Sequence, residues 1–184
     1  MLIRIMACKE REDNVNKMLS SLPKETEVIW DTDHNACHTL CRVLDSDEPM
    51  LVMEDDIELC KDFYEKALKE IEQRPNSFIM FYCTLKWEFE EPDRKAKGLP
   101  YNRWFVFTQA YYVPAWIGKS LVEHLKTDYH ANHRRWSIGI NKYLVKNNVH
   151  RYLVYPSMVQ HLNFHSILEP TLTKNHSSKS YKYE

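Results

Sequence analysis

The chain has 184 residues, 43% of them hydrophobic and 28% charged, which fits one globular domain with a real core and excludes a disordered or low-complexity chain. Its three glycines, Gly98, Gly118 and Gly139, lie far apart, which excludes a G-x-G-x-x-G dinucleotide loop and a G-x-x-x-x-G-K-[ST] phosphate loop. The net charge of −1 conceals 11 Lys/Arg against 21 Asp/Glu in residues 1–92 and 14 against 5 in residues 93–184, so either the second half faces something anionic or the two halves attract each other.

Leu2 to Cys8 is an apolar run that predicts a buried strand. Val15, Met18, Leu19 and Leu22 follow at helical spacing, and Pro23 stops that helix. Glu27 to Trp30 reads as a second strand, His34 to Leu44 as a helix, Asp45 to Pro49 as a turn and Met50 to Met53 as a third strand. Lys61 to Gln73 is an amphipathic helix with Phe63, Ala67, Leu68 and Ile71 inward, and Ser77 to Leu85 is a fourth strand. Residues 86–103 form a polar connection, long enough to suggest either a functional loop or a disordered one. Trp104 to Pro114 is strand-like, Ala115 to Lys126 and Trp136 to Lys146 are helical, and Arg151 to Tyr155 is a last strand.

The strand–helix alternation predicts an α/β fold with a mostly parallel sheet flanked by helices. We divide the chain into a single domain over 1–172 and a polar, frayed tail over 173–184. No apolar run reaches the roughly 18 residues of a membrane span. The start, MLIRIMACKERED, turns charged too early for a secretory leader, and the five cysteines form no C-x-x-C pair. A soluble, cytoplasmic protein with free thiols is expected.

Two predicted strands end in acids: Asp31-Thr32-Asp33 and Glu54-Asp55-Asp56. In parallel sheets ligands sit beyond the carboxyl ends of the strands. Three consecutive acids after a buried strand are costly unless something cationic meets them. Extended alternation sends Glu54 and Asp56 to one side and Asp55 to the other. Two carboxylates on one side suit a hard divalent ion, Mn²⁺ or Mg²⁺, and the bland alternative is a solvated acidic turn. His34, Cys37, His38 and Cys41 share one helical face, but one helix does not offer four ligands in a tetrahedral array, so a zinc site is not expected there.

The segment VMEDDIELCKDF resembles the metal-binding acid motif of nucleotide-sugar glycosyltransferases with the GT-A fold. IMACKEREDNVNKML is similar to their first strand and helix, and HNACHTLCRVL to the helix before the acid strand. FTQAYYVPAWIGKSLVEHL and YPSMVQHLNFHSIL are similar to later segments, in order, over roughly residues 2–168. The nearest flavour is the lipooligosaccharide-type branch and small phage-like transferases. The resemblance implies a GT-A-like, Rossmann-like sheet, with a nucleotide-sugar and metal half over 1–92 and an acceptor half over 93–172. It implies a hexosyltransferase taking a UDP-sugar, with Glu54, Asp56 and His161 holding Mn²⁺ or Mg²⁺ and Asp55 touching sugar or ribose. The alternative for His161 is a structural histidine, and His165 has a similar but weaker claim. Lys9 and Arg11 would meet the nucleotide or else begin a solvated helix. Asp31 and Asp33 would accept hydrogen bonds from uracil or ribose, or else cap the next helix.

The stretch Arg134-Arg135-Trp136-Ser137 departs from the family, because Ser137 stands near an expected acid. The general base falls to Asp128 or His133, and the stereochemical outcome stays open. The basic second half, with Arg134 and Arg135, suits an acceptor carrying phosphates, and the aromatic residues Trp87, Tyr101 and Trp104 suit stacking on its sugar or base. That acceptor would be a hydroxymethylated pyrimidine in phage DNA, in the host cytoplasm, or else a saccharide such as a lipooligosaccharide or capsule precursor. Two other classes compete: a non-catalytic nucleic-acid-binding protein, and a metal-dependent nuclease or phosphatase.

Overall fold

The computed structural model describes residues 1–83, 107–128, 136–162 and 181–183. The first half carries β1 (Leu2–Ala7), α1 (Glu12–Leu19), β2 (Glu27–Trp30), α2 (Ala36–Leu44), β3 (Met50–Glu54), β4 (Ile57–Leu59), α3 (Phe63–Gln73) and β5 (Phe78–Met80). The second carries β6 (Ala110–Val113), α4 (Gly118–Thr127), α5 (Trp136–Lys146), β7 (Arg151–Leu153) and β8 (Val159–His161). Short 3-10 turns occupy Lys9–Arg11 and Ala115–Ile117.

Six strands form one sheet in the order β2-β1-β3-β6-β5-β7, and β4 pairs with β8 in a separate ribbon. β1 is parallel to β2 and β3, and β5 is parallel to β7. β6 runs antiparallel between β3 and β5. The expected α/β fold with a mostly parallel sheet is therefore present, with one reversed strand inside it. That reversal has no sequence signal, because apolar content says nothing about strand direction.

Met50, Leu51, Val52 and Met53 are buried on both faces, as befits a strand covered on both sides. The connections β1–α1–β2 and β2–α2–β3 move in opposite directions across the sheet, so right-handed crossovers put α1 and α2 on opposite faces. α2 packs against α4, and α4 against α5, as one layer. Gly118 permits the start of α4 to approach closely: a Cβ there would lie 2.5 Å from the Ser46 carbonyl oxygen. On α3, Phe63, Ala67 and Ile71 recur every four residues and are buried, Phe63 meeting Phe81 edge-on at 5.8 Å. Phe63 and Ile71 each add about 1.5–3 kcal/mol of burial energy.

Several expected boundaries move. α2 begins at Ala36 rather than His34, because His34 takes a left-handed backbone (φ 52°) and Asn35 caps the helix, its Oδ1 accepting the His38 amide at 3.1 Å. β5 ends at Met80, because Phe81 turns its carbonyl to the Met158 amide near β8. The ribbon of β4 and β8 went unread, since three-residue strands carry no usable periodicity. Near the end of the chain the Tyr181 hydroxyl donates to the Leu59 carbonyl at 3.0 Å, and the Lys61 amide donates to the Tyr183 carbonyl at 2.8 Å. Among the described residues no helix is long and apolar enough to cross a membrane.

Candidate functional site

Register brings the carboxyl ends of β2, β1 and β3 together, with Trp30 opposite Ala7 and Met6 opposite Glu54. The chain leaves β1 toward β2 and returns past it to β3, so the switch of direction falls between β1 and β3, where open α/β sheets bind ligands. The acid turn Glu54-Asp55-Asp56 lies there.

The start of α1 clamps this turn. Asp55 Oδ2 accepts the Cys8 amide at 2.7 Å, and Oδ1 accepts Arg11 Nη1 at 2.6 Å. The same Nη1 donates to Asp56 Oδ2 at 3.0 Å. Three residues along the helix, Asn14 Nδ2 donates to the Asp55 carbonyl at 2.7 Å and the Ile57 carbonyl at 3.0 Å. Behind the turn, β8 contributes His161, whose Nε2 lies 3.4 Å from Asp56 Oδ2, and the Leu162 amide donates to the Asp56 carbonyl at 2.7 Å.

Burial, then repulsion from Asp56, pushes Glu54 up to about 7, against a hydrogen bond from the Thr108 hydroxyl and the charge of His161. Burial works against the charge of Asp56, yet His161 and Arg11 hold its carboxyl below the ordinary range. Burial likewise opposes a charged His161, and Asp56 holds that imidazole above its usual value. Asp56 Oδ1 is buried and takes no hydrogen bond among the described residues. Glu54, Asp56 and His161 thus influence one another electrostatically, and Asp55 and Asp56 share Arg11 Nη1, because the two aspartates form a turn in which strand alternation no longer holds. Among the described residues no three His, Cys, Asp or Glu side chains already surround a metal position.

The other expected residues have partners within the protein. The Asp55 side chain is 7% exposed and both of its oxygens accept from groups of the protein, because a buried carboxylate needs compensating donors. Arg11 is the buried counter-ion of the acids rather than a solvated helix start. Lys9 stands in the open, paired with Glu12 at 2.8 Å and over the Trp30 ring at 4.1 Å. Neither aspartate after β2 is the helix cap. Asp31 Oδ1 accepts from the Asn35 amide and the Thr39 hydroxyl, both at 3.1 Å, and Asp33 pairs with His38 Nδ1 at 2.6 Å.

Asp128 ends α4 with its side chain 8% exposed and paired to Lys142 at 3.1 Å, a poor setting for a free base. On α2, His38 pairs with Asp33 and Cys41 is buried. His133, His165, Trp87, Tyr101, Trp104, Arg134 and Arg135 lie outside the described residues.

Sequence reading missed Asn14 and Thr108. Asn14 had a signal in its spacing, one helical turn beyond Arg11 on the same face. Thr108 depends on β6 lying antiparallel beside β3, with the Glu54 amide donating to the Gln109 carbonyl at 2.9 Å, and had none.

No family model matches the chain, and no curated protein matches it. Among solved structures it is similar to a candidate glucose-1-phosphate thymidylyltransferase from Bacillus anthracis, in complex with a sucrose, at 15% identity and a TM-score of 0.48. The similarity covers 86% of this chain and 69% of that one.

Proposed function

We propose that this protein is a metal-dependent glycosyltransferase that moves a hexose from a nucleotide-sugar, a UDP-sugar by the family resemblance, to a hydroxyl acceptor. One observation carries the reading: at the switch point of the sheet His161 Nε2 lies 3.4 Å from Asp56 Oδ2, and Asp56 Oδ1 is buried there with no hydrogen bond among the described residues, while Glu54 feels the charge of both. Two carboxylates and an imidazole suit Mn²⁺ or Mg²⁺ in donor type. Glu54, Asp56 and His161 would hold that ion, and bound there it serves as a Lewis acid toward the leaving diphosphate. Thr108 and the β6 backbone fix Glu54, and Arg11 with Asn14 fixes the turn that carries Asp56.

In the transfer, the acceptor oxygen forms a bond to the anomeric carbon, the bond from that carbon to the diphosphate oxygen breaks, and the acceptor proton passes to a base. With Asp128 engaged by Lys142, His133 is the proposed base. The basic second half of the chain suits an anionic acceptor, and the two candidates are a hydroxymethylated pyrimidine in DNA and a saccharide.

The test is release of UDP from a panel of UDP-hexoses with Mn²⁺, offering hydroxymethylated duplex DNA in one arm and a lipooligosaccharide in another. Turnover in either arm that disappears in Asp56→Asn supports a metal-dependent transferase, and the productive arm identifies the acceptor. Turnover that survives in a folded Asp56→Asn, or its absence with every donor and acceptor, overturns the reading.

A further inference from the structure

We propose that Arg11 is the resident counter-ion of the acid turn, and that a divalent cation reaches Asp56 only as Arg11 gives that carboxylate up. The inference rests on the metal reading above and assigns a role that reading leaves open. One guanidinium nitrogen, Arg11 Nη1, bridges Asp55 Oδ1 at 2.6 Å and Asp56 Oδ2 at 3.0 Å. Exposure of the three side chains is 14% for Arg11, 7% for Asp55 and 14% for Asp56, so water screens the pairs weakly.

The two carboxylates differ in how firmly they are held. Asp55 has its second oxygen on the Cys8 amide at 2.7 Å, and its carbonyl takes Asn14 Nδ2 at 2.7 Å. Asp56 has Oδ2 between Arg11 and His161, while Oδ1 takes no hydrogen bond among the described residues. Asp56 is therefore the carboxylate that can change partners, and Asp55 is the one that stays. A divalent ion on Asp56 would stand beside a guanidinium that now contacts the same carboxylate, and like charges at that range repel strongly where water is scarce. On leaving Asp56, Arg11 keeps Asp55 and avoids the penalty of a buried, unpaired charge. Arg11 thus lowers the affinity of the turn for a metal without ever leaving it.

The proposal predicts opposite effects from the two ends of one ion pair. The experiment is Mn²⁺ binding to the full chain without nucleotide, followed by the electron paramagnetic resonance signal of free Mn²⁺, with circular dichroism to confirm folding. Arg11→Gln keeps a donor for Asp55 and removes the competing charge, and should bind Mn²⁺ about tenfold more tightly. Asp55→Asn removes the anchor, leaves Arg11 to Asp56 alone, and should bind Mn²⁺ about tenfold more weakly. Opposite shifts in the two variants support the proposal. Binding that weakens in both, or changes in neither, overturns it and leaves the metal site standing. Absence of Mn²⁺ binding in the wild type and in both variants removes the metal reading itself, and the role of Arg11 with it.

Discussion

Cys8 and Asp55 join the ends of two neighbouring parallel strands: the Cys8 amide, directly after β1, donates to Asp55 Oδ2 at 2.7 Å, directly after β3. With Arg11 on the other carboxylate oxygen, this contact fixes the acid turn to the start of α1. Replacing Asp55 by Asn leaves Arg11 with its charge only partly met in a nearly dry place. We expect Asp55→Asn to lose about 3 kcal/mol of stability, read from urea unfolding at pH 7. A loss too small to measure would show that the pair is solvated and does not hold the turn.

Asn14 holds the same turn by its backbone, with one amide nitrogen on two carbonyls. Asn14→Ala strips both acceptors of their donor and should cost about 1.5 kcal/mol in the same unfolding measurement. It should also weaken Mn²⁺ binding, because the turn carrying Asp56 loses its second fastening. Unaltered stability and unaltered binding would contradict the clamp.

Glu54 sets a pH dependence. Burial and Asp56 raise its carboxyl from the ordinary 4.5 to about 7, so between those pH values the folded chain holds a proton that the unfolded chain has released. A raised carboxyl favours the folded state at low pH, and its contribution declines as pH climbs from 4.5 to about 7. Glu54→Gln removes that decline. In metal-free protein the melting temperature of Glu54→Gln should gain on the wild type steadily across this window. Parallel pH profiles would show that Glu54 is not desolvated.

The thiols should differ sharply in reactivity. On α2, a hydrogen bond from Cys41 brings Cys37 down to about 7, whereas burial and then Asp55 push Cys8 up to about 12. Limited iodoacetamide at pH 8, read by peptide mass spectrometry, should modify Cys37 first and leave Cys8 intact. Modification of Cys8 ahead of Cys37 would contradict the burial of the Cys8 thiol beside Asp55.

Much of this was legible in the sequence, for identifiable reasons. The apolar run Met50 to Met53 followed by three acids announced a buried strand opening onto a charged site, but the expected alternation stops at Glu54, because Asp55 and Asp56 form a turn and share Arg11 Nη1. Helical spacing located α1 and α3, and Phe63, Ala67 and Ile71 do line the buried face, whereas Leu68, at its edge, is only half-buried. Contacts between distant segments were not legible. Arg11 and Asp55 are 44 positions apart, and nothing local shows that one neutralises the other. Asp31 and Asp33 had two readings, helix cap or ligand contact, and the structure gives them a third, bracing the turn into α2. The direction of β6, which brings Thr108 to Glu54, is a property of topology rather than of any short segment.

The most direct test of the central claim is calorimetric binding of UDP with and without Mn²⁺, to the wild type and to Asp56→Asn. The account predicts UDP binding that requires Mn²⁺ in the wild type and is lost in a folded Asp56→Asn. UDP binding that ignores Mn²⁺, or that persists unchanged in Asp56→Asn, would contradict a nucleotide–metal site at the end of β3.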